Sequence, residues 1–98
     1  MNESNNQVVS VIAYKSTERI MGWYDQTVDL TVHHIYLYVD SISTANHTFN
    51  LDHVTDMSYK PFSGGNGLFY LHTSQGVFTF QVDSDPVKFI RAFKDLRR

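Results

Sequence analysis

The chain predicts a mainly β domain, a small barrel or strongly bent sheet of about seven antiparallel strands closed by one C-terminal α-helix. Three observations carry that reading. Seven short runs of β-type residues follow one another along the chain, the last two are joined by a glycine turn, and a capped amphipathic segment comes at the very end.

The first strand is expected over Val8 to Ser16, after a polar Met1 to Asn6 that reads as a frayed tail outside the single domain. Its buried face stays open, because Val9 and Val11 compete with Ile12 and Tyr14. Thr17 to Gln26 reads as a connection holding Trp23 and Tyr24. In Thr27 to Val32, the residues Val28, Leu30 and Val32 alternate with polar neighbours, the pattern of a half-buried strand. Ile35, Leu37 and Val39 alternate again, out of phase with Val32. A turn or bulge at His33 and His34 would bring both sets to one face, since a slip of one residue reverses every side chain.

Ser41 to Asn46 is polar and turn-like. A fourth strand is expected over His47 to Leu51 with Phe49 and Leu51 inward, and a fifth over Val54 to Lys60, ended by Pro61. Ser63-Gly64-Gly65-Asn66-Gly67 contains residues that tolerate positive φ and reads as a hairpin tip. Gly67 to Thr73 and Val77 to Val82 form the strongest hairpin, with Phe78, Phe80 and Val82 on one face. Asp85 and Pro86 then supply helix start signals, and Phe89, Ile90, Phe93 and Leu96 recur at helical spacing. Phe80 and Phe93 are expected in one core.

Composition bounds what such a domain can do. A chain of 98 residues with 42% hydrophobic and 18% charged residues is one folded domain, able to bury about 60–70% of its unfolded surface. The absence of cysteine excludes disulfides, thiolate metal sites and cysteine nucleophiles. No apolar run reaches the roughly 18 residues of a membrane span, and the first residues lack a signal-peptide pattern, so a soluble cytoplasmic protein is expected. Charge is uneven. Met1 to Ser84 carries three basic against eight acidic residues, whereas Asp85 onward carries Lys88, Arg91, Lys94, Arg97 and Arg98 against two acidic ones. The basic end either complements the helix dipole and solvates its outer face, or offers a surface to phosphate or acidic lipid.

The stretches VDLTVHHIYLYV, TFNLDHVTDMSYKP, GLFYLHTSQGVFTFQV and DPVKFIRAFKDL resemble, in that order, a strand, turn and strand, the characteristic strand, corner and strand, the last hairpin and the closing helix of the pleckstrin-homology-like barrel. The resemblance spans Val8 to Leu96 and is most like the small bacterial members of that superfamily. It implies the barrel, but a fold of this kind hosts many functions. Lipid-binding members carry a Lys and Arg cluster on and beside the loop after the first strand. Here only Lys15 and Arg19 match that region, beside Glu18 and with Asp29 on the next strand, so the phosphate-gripping motif is incomplete.

Nothing names a reaction. There is no nucleophile elbow, P-loop, dinucleotide fingerprint or zinc-protease helix. Asp52 and Asp56 could pair as acid and base, but nothing in the sequence places them in a cleft. The five histidines, His33, His34, His47, His53 and His72, do not show converging ligand spacing, so no metal or other cofactor is expected. The acidic body repels a polyanion, which argues against nucleic acid.

The leading expectation is therefore a non-catalytic binding module for a protein or peptide, another copy of the chain included. Trp23 and Tyr24 are its expected recognition residues, on the loop beside the resembling family's ligand contacts; the competing reading is that Trp23 caps the barrel. Tyr36, Tyr38, Tyr59 and Phe62 add aromatic area beyond an obvious core. The alternative is peripheral binding to anionic membrane lipid through the basic C-terminal helix with Lys15 and Arg19.

Overall fold

The computed structural model describes residues 7–21 and 26–97, and for 17–21 and 26–29 the backbone alone. The expected N-terminal tail, Met1 to Asn6, lies outside the described residues, as do Trp23 and Tyr24. Seven strands, β1 (Ser10–Met21), β2 (Gln26–Leu37), β3 (Ser41–Ser43), β4 (Thr48–Asn50), β5 (Val54–Pro61), β6 (Gly67–Thr73) and β7 (Gly76–Val82), precede one helix, α1 (Val87–Leu96). All ladders are antiparallel, in the order β4-β3-β2-β1-β7-β6-β5. Edges remain at β4 and β5, with no ladder joining them among the described residues.

The sheet is nevertheless strongly curled. Phe49 on β4 and Phe78 on β7 have ring centroids 4.9 Å apart, although β3, β2 and β1 lie between their strands. Four strand spacings in a flat sheet would part them by about 19 Å. Curling brings residues of both halves into one cluster: Ile35, Leu37, Ile42 and Phe49 from one, Met57, Phe69, Leu71 and Val82 from the other. α1 completes it with Phe89 and Phe93, and the Phe89 ring stands edge-on to Phe69 at 5.8 Å. Phe93 is buried and Phe80 packs half-buried against the same cluster, as expected.

The helix starts as its sequence suggests, with the register moved by one residue. The Asp85 carboxylate accepts the Val87 N–H at 3.0 Å, while Pro86 occupies the cap position and is itself buried. At the other end, an Arg97 guanidinium N–H donates to the Val54 carbonyl and the group lies over the Phe93 ring, fastening the helix to the start of β5.

Three expectations about the first half need correction. Thr17 to Met21 and Gln26 are strand rather than connection, so β1 and β2 form a ladder from Ser10↔Leu37 to Met21↔Gln26. No bulge interrupts β2 at His33 and His34, because the register with β1 is continuous there. Ser41–Ser43, which looks polar and turn-like, is a strand whose central Ile42 is fully buried. The expected count of seven is matched only because splitting β2 in two compensated for overlooking β3.

Tyr14 settles the open question about β1. It is buried, its hydroxyl accepts the Ala45 N–H at 3.1 Å, and its ring packs edge-on to Phe80 at 4.8 Å. Ile12 lies on the same face and packs against the core, leaving Val9 and Val11 outside. Tyr14→Phe should keep the packing and strand the Ala45 donor, at a cost of about 1 kcal/mol. The check is a lower urea midpoint at constant m-value; an equal midpoint would mean that water satisfies Ala45 equally well.

Candidate surface on the β1–β2 arm

Beyond the point where neighbouring strands support it, the β1–β2 hairpin continues alone. β7 reaches β1 only at Lys15↔Gln81, and β3 reaches β2 only at Tyr36 and Leu37. Among the described residues, the ladder from Ser16↔Thr31 to Met21↔Gln26 therefore forms an arm whose strands pair only with each other. The radius of gyration is 15.3 Å, against about 13 Å for a compact domain of this length.

Alternation along an unbroken β2 decides what that strand displays, from the body of the sheet out to the arm. Ile35 and Leu37 are fully buried, so Leu30, Val32, His34 and Tyr36 point the other way, and Leu30 and Val32 are 57% and 54% exposed. Val11 of β1 stands opposite Tyr36 and is exposed on that same face. The rings of His34, Tyr36 and Tyr38 succeed one another along it, with centroids 6.1 and 6.4 Å apart. Leu30 and Val32, read from sequence as the inward set, thus form an outward apolar row. The signal was present in the chain as the phase offset between Val32 and Ile35; taken as a bulge, it concealed a change of face.

Two of the expected binding residues, Lys15 and Arg19, lie on β1. Lys15 is at the base of the arm, where its ammonium pairs with the Asp83 carboxylate at 2.7 Å. An ion pair this exposed contributes at most about 1 kcal/mol, yet it braces the single backbone bridge between β1 and β7. Arg19 lies further out on the same strand, opposite Val28. Trp23 and Tyr24 belong by sequence to the connection between the paired Met21 and Gln26, outside the described residues. Of the other surplus aromatics, Phe62 and Tyr36 are exposed, whereas Tyr59 packs against the core.

Elsewhere the chemistry is sparse. Histidines are engaged singly: His33 with Ser16 Oγ at 3.1 Å, His72 with Ser58 Oγ at 2.9 Å, and His47 against the Phe49 and Phe78 rings. No three metal-ligating side chains converge among the described residues. Asp52 borders a hollow of about 400 Å³ with Asp40, Asn50 and Arg97, but Asp56 is not part of it, and an Asp56 carboxylate oxygen instead accepts the Met57 N–H at 2.8 Å. A second groove, about 470 Å³, runs between Ser10–Ala13 and the start of α1. Lys88, Arg91 and Lys94 are exposed on the helix, while Arg97 is held against Val54 and Phe93. No helix among the described residues is long and apolar enough to cross a membrane. No family model matches the chain, and no curated protein is significantly similar to it.

Proposed function

We propose that the chain is a non-catalytic, pleckstrin-homology-like binding module that recognises a protein or peptide through the β1–β2 arm. The observation that carries this reading is the exposed row Leu30, Val32 and Tyr36, continued by Val11, which runs along the outer face of the sheet and reaches the arm at Leu30. A strand that only stabilised the fold would direct its apolar residues at the core; this one directs Leu30, Val32 and Tyr36 at solvent, where they serve association. The strand order, the β6–β7 hairpin and the single closing helix support the family likeness, although VDLTVHHIYLYV, expected as strand, turn and strand, lies in the one strand β2; barrel closure is part of the same proposal. Trp23 and Tyr24, at the connection of the arm, supply aromatic anchors of the type that dominate interface energetics.

The test compares the unmodified chain with Trp23→Ala. Capture of a partner from an extract of the source cells should be saturable and fall about 30-fold in the variant, the equivalent of about 2 kcal/mol, with the unfolding midpoint unchanged. Trp23 is the only tryptophan, so its emission reports the site directly and should shift on adding the captured partner. A loss of several kcal/mol of stability would instead assign Trp23 to the fold. Salt-reversible sedimentation with anionic vesicles, sensitive to Lys88 and Arg91 but not to Trp23, would move the function to the helix.

A further inference from the structure

The free backbone edges of this sheet are not protected equally. β4 is only Thr48–Asn50. β5 is longer, but its ladder has an irregularity between Val54 and Asp56, and the strand ends in Lys60 and Pro61. On the arm, the β1 side carries Glu18 and Arg19. Short length, bulges, charges and proline are the means by which proteins stop a sheet edge from joining another. β2 is less protected over Gln26 to Ile35: among the described residues it is bonded to β1 alone, its ladder is regular, and the segment contains no proline, lysine or arginine, Asp29 being its one charged residue. Alternate residues there turn their N–H and C=O groups away from β1, in position to receive another strand.

The sequence of that edge is close to its own complement. When two copies of β2 run antiparallel about a two-fold axis at Thr31, Thr31 stands opposite itself, Leu30 opposite Val32, and Asp29 opposite His33. Opposed residues in an antiparallel pair share a face. The exposed Leu30 and Val32 of each copy would then cover one another on the outer face. Within one chain the register partner of Asp29 is Glu18, and in the proposed pairing its other register partner is His33 of the second copy. The match extends over Thr27 to Ile35 and stops where β3 takes up the edge at Tyr36.

We infer that the free edge of β2 pairs antiparallel with the same edge of a second copy, across a two-fold axis at Thr31, giving one continuous sheet through the dimer. This names the partner of the arm and so rests on the binding reading above.

The chain has no cysteine, which makes single introduced thiols diagnostic. Under mild oxidation Thr31→Cys should give a disulfide-linked dimer, Leu30→Cys and Val32→Cys should not do so separately, and a mixture of those two should link to each other. Sedimentation equilibrium of the unmodified chain should show a reversible dimer. The double variant Leu30→Lys with Val32→Lys opposes like charges at two positions and should weaken the dimer at least about 100-fold, with its β-type circular dichroism retained. Three results would overturn the inference: a monomer at every soluble concentration, a dimer that the lysines leave intact, or self-linking of Leu30→Cys in preference to Thr31→Cys. A monomer whose partner capture still depends on Trp23 would sink self-pairing alone; a monomer that captures nothing would sink the binding reading as well.

Discussion

Phe93→Ala should remove about 3–5 kcal/mol of stability, the cost of truncating a fully packed aromatic residue without refilling its space. Phe93 is 2% exposed, belongs to the single core cluster, and carries the Arg97 guanidinium 5.4 Å from its ring centroid. Its loss therefore removes packing beneath the helix and also a contact that helps direct Arg97 to the Val54 carbonyl. A domain of this size has about 5–15 kcal/mol in total, so the variant should stand near the edge of folding. Its melting temperature should drop by at least about 12 °C, taking about 4 °C per kcal/mol as the lower bound for this length. A cooperative transition at the original midpoint would mean that α1 is not docked in solution.

Gly67→Ala is expected to have the next largest effect, for the opposite reason. A Cβ at Gly67 would meet the Lys60 carbonyl oxygen far inside contact distance, with Tyr59 Cε1 at 2.7 Å and Pro61 Cα at 3.0 Å. The tyrosine ring can swing aside. The Lys60 carbonyl and Pro61 Cα cannot, because both are backbone in the β5–β6 ladder, with Lys60 paired to Leu68 and Pro61 to Gly67. Overfilling a packed site costs about 1–3 kcal/mol, and here it should be relieved by opening the end of that ladder. Urea denaturation measures the loss, and amide exchange should show it concentrated at Lys60, Leu68 and their neighbours. An unchanged midpoint with protected amides would show that the strands can separate at no cost. Gly64 and Gly65 face a different constraint, since both adopt positive φ with open space around them.

Much of the second half of this protein was determined by sequence alone. β6 and β7, the glycine tip before them, and the helix announced by Asp85 and Pro86 rest on local signals: turn residues of defined conformation, strict alternation, and a period of three to four residues in Phe89, Ile90, Phe93 and Leu96. Such signals need no distant partner to be read. The first half depended on tertiary structure. Ser41–Ser43 becomes a strand because Tyr36 and Leu37 on one side and Thr48 to Asn50 on the other pair with it, burying Ile42; its two serines show no strand preference of their own. The side to which Leu30 and Val32 face was likewise undecided by periodicity, which records alternation but not which face meets the core. β2 remains unbroken through His33 and His34 because β1 holds it in continuous register, and Ile35 and Leu37 are committed to the core. Residues before them must follow the parity of the strand, so Leu30 and Val32 are turned outward whatever their hydrophobicity, and a pattern that looked like buried strand became the exposed face of the arm.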